Sequence, residues 1–144
     1  MRLSTSLSFV RQLRVLLSKP SVEHRNRAFT VLGVGLLAMG FSLIATRGTA
    51  KVLESKGLPV ATINKVLEGR PHVVDALKNG EINLVFNTTD GAQALADSSS
   101  IRRAALTLKV PYYTTMAGAA AATQAIQALR AGSLEVAPLQ SYSS

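Results

Sequence analysis

Residues 29–49 read FTVLGVGLLAMGFSLIATRGT, and the fold depends on how this stretch is divided. Its first 17 residues, Phe29 to Ala45, carry no charge. By hydropathy alone they form a membrane anchor. Their length is at the lower limit for that role, because a helix needs about 20 apolar residues to cross a bilayer. Gly33, Gly35 and Gly40 also interrupt the run. We therefore divide it into a helix ending at Met39, a stop at Gly40 and a strand from Phe41 to Ala45.

The same alternation continues towards the C-terminus, with short apolar runs followed by helical patterns, as in βα units of a parallel sheet. Gly48 to Lys56 reads as a helix with Val52 and Leu53 inward, closed by Gly57. Val60 to Ile63 is the next strand, and Pro71 opens a short helix whose Val73, Val74 and Leu77 share a face before Asn79-Gly80 ends it. Ile82 to Phe86 carries the clearest strand signal. A helix follows from Gly91 or Ser98 to Leu108, then a strand from Val110 to Tyr112, then an alanine-rich helix from Met116 to Arg130. The fold class is therefore α/β, three-layered, with a mainly parallel twisted sheet of about five strands and helices on both faces.

Three segments organise the chain: a basic stretch over 1–27, a folded domain over 28–131 and a tail over 132–144 expected to be partly disordered. The net charge of +8 is uneven. Residues 1–27 hold six basic residues (Arg2, Arg11, Arg14, Lys19, Arg25 and Arg27) against Glu23, so they carry +5 and the rest of the chain only +3. A mildly basic body suits one phosphate-bearing ligand better than a nucleic-acid track with its many phosphate contacts. The stretch 1–27 has three compatible readings: an organelle transit peptide, an altered start of a longer chain, or the site of a first strand at Arg14 to Ser18. A cytoplasmic location is expected, with a transit peptide or an anchor as the alternatives.

With no cysteine, disulfides and thiolate chemistry are excluded, and His24 and His72 are too few for a metal centre to be expected. Asp75 and Asp97 read as capping or helix-surface acids. Asp90, at a strand end, is the better acid candidate but has no histidine beside it. No catalytic residue is assigned.

Three of the strand ends carry similar clusters: Ala45-Thr46-Arg47-Gly48-Thr49, Asn87-Thr88-Thr89-Asp90-Gly91 and Thr114-Thr115-Met116-Ala117-Gly118. In a parallel sheet all three lie on the carboxyl edge, where open α/β folds bind ligands. Hydroxyls beside glycine at a helix start form a phosphate cradle, since backbone N–H groups can approach and the helix end is partly positive. That end contributes roughly 0.3 to 1 kcal/mol towards an anion, so a full cation nearby would strengthen the site, and Lys65 is the candidate. The competing reading is that the threonines and asparagine cap helices and the lysine is simply solvated.

The segments GFSLIATRGTA (40–50), NKVLEGRPHVVDALKNGEINLVFNTTDG (64–91) and DSSSIRRAALTLKVPYYTT (97–115) resemble the C-terminal domain of the carbamoyl-phosphate synthetase large chain, of the methylglyoxal-synthase-like fold. The likeness runs from about Leu37 to Leu129. It implies an allosteric domain of an enzyme making carbamoyl phosphate for arginine and pyrimidine biosynthesis, and one that binds nucleotide monophosphates such as UMP and IMP. It assigns Thr46, Thr49 and Lys65 to phosphate, and Asn87, Thr88 and Thr89 to ribose or phosphate. Tyr112 and Thr114 match an ornithine-side interface.

The same resemblance implies synthetase domains and a glutaminase small subunit as partners, an oligomeric parent, and no cofactor in this domain, ATP, magnesium and potassium belonging to the synthetase domains. Residues 1–36 depart from the family pattern of strand, basic loop and helix. Arg14 to Ser18 fits the strand and Arg25 the basic contact, but the spacing to Gly40 does not match cleanly. Methylglyoxal synthases share the fold and use strand-end aspartates with histidines. Here that strand end reads Asn-Thr-Thr, which favours binding over a lyase reaction on dihydroxyacetone phosphate.

Overall fold

Leu13 to Ser18 contains three consecutive apolar residues, Val15, Leu16 and Leu17, and all three are fully buried. Such a run is what a strand covered on both faces requires. The computed structural model describes residues 13–18, 23–88 and 92–132. In it this run is β1 (Arg14–Ser18), the middle strand of a five-stranded sheet. The folded unit thus takes in part of the basic N-terminal stretch. The tail from residue 133 lies outside the described residues, and so do most of the residues before β1.

Chain order continues with α1 (Glu23–Ala38), β2 (Ser42–Thr46), α2 (Arg47–Ser55), β3 (Ala61–Ile63), a 3-10 turn (Val66–Glu68) and α3 (Val73–Lys78). Then come β4 (Leu84–Asn87), α4 (Ala92–Thr107), β5 (Tyr112–Tyr113) and α5 (Met116–Ala131). The strands are ordered β3-β2-β1-β4-β5 and every pairing is parallel. The chain moves outward from β1 through β2 to β3, then crosses to the other side of β1 for β4 and β5. That reversal opens a crevice at the carboxyl ends of β1 and β4.

Alternate residues of each strand feed two cores. Val15, Leu17, Leu43, Ala45, Leu84 and Phe86 pack with α1, α2 and α5, through Phe29, Leu32, Leu36, Leu53, Ala119 and Ala122 among others. Leu16, Ile44 and Val85 pack with α3 and α4, through Val73, Ala76, Leu77 and Ile101. The result is the three-layer arrangement expected.

Details differ from the sequence reading. In α2 Leu53 is buried but Val52 only half so, and in α3 Ala76, not Val74, joins Val73 and Leu77 in the core. β4 begins at Leu84 rather than Ile82 because Asn83 turns its side chain to the backbone of the neighbouring strand, its Oδ1 accepting from Arg14 N–H at 3.0 Å. β5 is confined to Tyr112–Tyr113. No helix among the described residues is long and apolar enough to cross a membrane.

Gly40 shows why the apolar stretch breaks where it does. Its φ is +87°, its N–H donates to Leu37 O and the Phe41 N–H donates to Leu36 O, a Schellman ending that turns helix into strand. Arg130, in the last turn of α5, locks the same corner: its guanidinium donates to Met39 O and lies 5.1 Å from the Phe41 ring centroid. The end of α4 repeats the motif with Lys109 at the left-handed position, φ 57°, Val110 N–H donating to Ala105 O.

Two outcomes follow for urea unfolding. Leu16→Ala, at the centre of the sheet, is expected to cost about 2–5 kcal/mol, whereas a dispensable N-terminal stretch would leave the midpoint unchanged. Lys109→Gly is expected to stabilise by up to about 1 kcal/mol, since a side chain at left-handed φ carries a steric penalty.

Candidate functional site

Each of β2, β1 and β4 ends in a polar residue at the same level. Ser18 is the register partner of Asn87, and Leu17 that of Ala45, which sets Ser18 level with Thr46. Residues two apart on a strand share a face. Ser18, Thr46 and Asn87 therefore follow Leu16, Ile44 and Val85 on the α3 and α4 side, and form a transverse polar row that closes that core at the carboxyl edge.

All three are buried, and Ser18 Oγ lies 3.4 Å from Thr46 Oγ1. At the β4 end Asn87 Nδ2 donates to the Tyr112 hydroxyl at 2.7 Å. Thr88 is buried behind the row, its N–H donating to Ser18 O at 3.2 Å.

Thr46 is also the residue before α2, yet its side chain makes no cap bond. Its hydroxyl is directed to Ser18 instead, so the helix-capping explanation fails here. The first N–H groups of α2 have no carbonyl partner within the helix and face the edge of the sheet. Thr49 is buried in that first turn, and the space where a Gly48 side chain would stand is open. Thr115 behaves in the opposite way: it caps α5, accepting from Gly118 N–H at 3.0 Å. The third hydroxyl cluster is therefore spent on a helix start, and Thr114 beside it is exposed.

Lys65 stands at the head of the loop after β3. An isolated bridge between Asn64 and His72, with Val73 N–H donating to Asn64 O at 3.0 Å, pins the two ends of this loop together. Within it, Lys65 N–H donates to Glu68 Oε2 at 2.8 Å. Arg47 Nη2 reaches Asn64 Oδ1 at 3.5 Å, tying the start of α2 to the residue before Lys65. Among the described residues no acid forms an ion pair with Lys65, whereas Arg70 pairs with Asp75 at 3.1 Å.

His72 and Asp75 have a structural task. The His72 N–H donates to Asp75 Oδ2 at 3.0 Å and Asp75 N–H to His72 Nδ1 at 3.4 Å, a reciprocal cap on α3. Asp75 is thus the capping acid the sequence suggested. No cluster of three metal-ligating side chains occurs among the described residues. Thr89, Asp90, and the side chains of Arg25 and Asp97 lie outside the described residues. Ser18 is the residue the sequence reading missed. The apolar run before it carried the signal, since a strand in that segment ends on Ser18.

An α/β domain of this strand order has a doubly wound architecture, in which ligand sites are found at the carboxyl edge of the sheet. Residues 30–114 match the MGS-like domain family, and the chain belongs to that family. Its relatives include the carbamoyl phosphate synthase large chains of Brucella suis, 63% identical over 107 residues, and of Rhizobium meliloti, 57% identical over 120 residues. These alignments cover 74% and 83% of this chain but only 9% and 10% of the relatives, so the chain spans about a tenth of their length. A methylglyoxal synthase structure from Elizabethkingia anophelis superimposes with a TM-score of 0.62 over 78% of this chain and 77% of its own, at 18% identity, which is a likeness of fold.

The row makes a direct prediction. Thr46→Val keeps the shape and removes the hydroxyl facing Ser18, and is expected to lower stability by about 1 kcal/mol in urea unfolding. No change would mean that the buried hydroxyl pair contributes nothing to the fold.

Proposed function

We propose that this chain is the effector-binding domain of a glutamine-hydrolysing carbamoyl phosphate synthase large chain, holding a nucleotide monophosphate of the UMP or IMP type. The observation that carries the reading is the polar row at the carboxyl edge beside the start of α2, with open space at Gly48 and, among the described residues, no acid ion-paired with Lys65. A phosphate there receives backbone N–H groups, the partial positive charge of the helix end and one full cation. Thr46 and Thr49 are the proposed phosphate contacts, and Asn87, Thr88 and Thr89 the proposed contacts to ribose or phosphate. Arg25 is the proposed substitute for the family's basic loop contact. The similarity to carbamoyl phosphate synthase large chains supplies the regulatory part of the reading.

Coupling requires that an effector distinguish two states of the whole enzyme, so this domain binds and the parent responds. The parent is a cytoplasmic oligomer with synthetase domains, which use ATP, magnesium and potassium, and a glutaminase subunit. Tyr112, on the outer strand, and Thr114, just after it, are the proposed ornithine contacts at the interface with a synthetase domain.

Calorimetric titration with UMP and IMP tests the reading. One of the two is expected to bind. Lys65→Ala is expected to weaken it at least about tenfold, the size of a charge-assisted hydrogen bond to phosphate. If neither nucleotide binds, or Lys65→Ala binds as well as the unsubstituted chain, the assignment of the site is wrong.

A further inference from the structure

Among the described residues Lys109 alone has a positive φ without being a glycine. It occupies the left-handed position of the α4 ending, where glycine carries no steric penalty and lysine does. A side chain held against a backbone preference calls for a use. Lys109 lines a cavity of about 330 Å³ at the amino edge of the sheet, the edge opposite the proposed nucleotide site. There the ends of α3 and α4 meet the residues that lead into β4 and β5. Leu77, Ile82, Leu108 and Val110 supply apolar walls, and Lys78, in the last turn of α3, supplies a second ammonium.

Both lysines are exposed, and so is Leu108 at 42%. Among the described residues no acid forms an ion pair with either lysine, and Glu81, though near in sequence, does not line the cavity. A cation at a helix C-terminus also steadies the helix, which would account for Lys78 alone. For Lys109 that gain is of the same order as the steric penalty of its backbone, so the helix end gives no reason to prefer lysine to glycine. Two cations beside apolar walls are the complement of an anion with an apolar body.

We propose that this cavity is a second binding site, for a small aliphatic carboxylate whose charge is held by Lys78 and Lys109 and whose chain lies against Leu77, Ile82, Leu108 and Val110. Its volume is at the lower end of small-molecule sites, which suits a short chain. The site shares no residue with the nucleotide reading and does not depend on it.

Hexanoate, hexanol and inorganic phosphate are the probes, each titrated into the isotope-labelled chain and followed by NMR. Lys109→Gly is the variant, chosen because it relieves the left-handed side chain and is expected to fold at least as well as the unsubstituted chain. Hexanoate is expected to shift the amide signals of Ile82, Asn83 and Val110 saturably. Lys109→Gly is expected to weaken it about fivefold, the scale of one solvent-exposed ion pair, and Lys78→Ala to do the same. Hexanol, which lacks the charge, and phosphate, which lacks the chain, are each expected to bind at least about fivefold more weakly than hexanoate. The proposal is overturned if hexanoate gives no saturable shift at these amides, if Lys109→Gly binds it equally well, or if either other probe matches it there.

Discussion

The structure depends on β1 being buried on both faces. Val15 and Leu17 enter one core and Leu16 the other, so the two apolar layers meet only through this strand and its neighbours. A parallel sheet needs such a strand because helices cover both of its sides. With β1 in the middle, the chain can extend outward by two strands and then return to its other side. The crevice at the carboxyl edge is a product of that return, so the candidate site exists only because β1 is where it is.

The site has its character because the alternation of the strands runs out at one level. Where Leu16, Ile44 and Val85 fill the core, the next residues on the same face are Ser18, Thr46 and Asn87. Buried polar groups need partners, and these find them across the sheet and not within their own segments. Ser18 meets Thr46 and Asn87 meets Tyr112. This contrasts with His72, Asp75 and Thr115, whose polar atoms serve local helix starts. Chemically similar residues thus divide by range, the local ones fixing helices and the long-range ones closing the core at the carboxyl edge.

The uncharged stretch over 29–45 shows why hydropathy alone misled. Val31 and Val34 of α1 are 72% and 52% exposed, so the helix is apolar on its outer face as well as its inner one. Hydropathy sums both faces, whereas burial is decided by one. Gly40 breaks the run by backbone geometry, a property a hydropathy average does not contain.

The sequence by itself determined the alternation of helix and strand, the stop at Gly40, and the identity of Thr46, Thr49, Lys65 and Asn87 as candidates, because glycine geometry, periodicity and strand-end position act over a few residues. It left Arg14 to Ser18 open, since five residues inside a basic stretch have no local signal strong enough to name a strand. It also grouped the hydroxyls of the β5 end with the other two clusters, though Thr115 is a helix cap. Only the tertiary structure decided that β1 is central, that Ser18 completes the polar row and that Tyr112 holds Asn87. Those facts are contacts between residues 25 to 69 positions apart, and strand order and register, not any local propensity, bring them together.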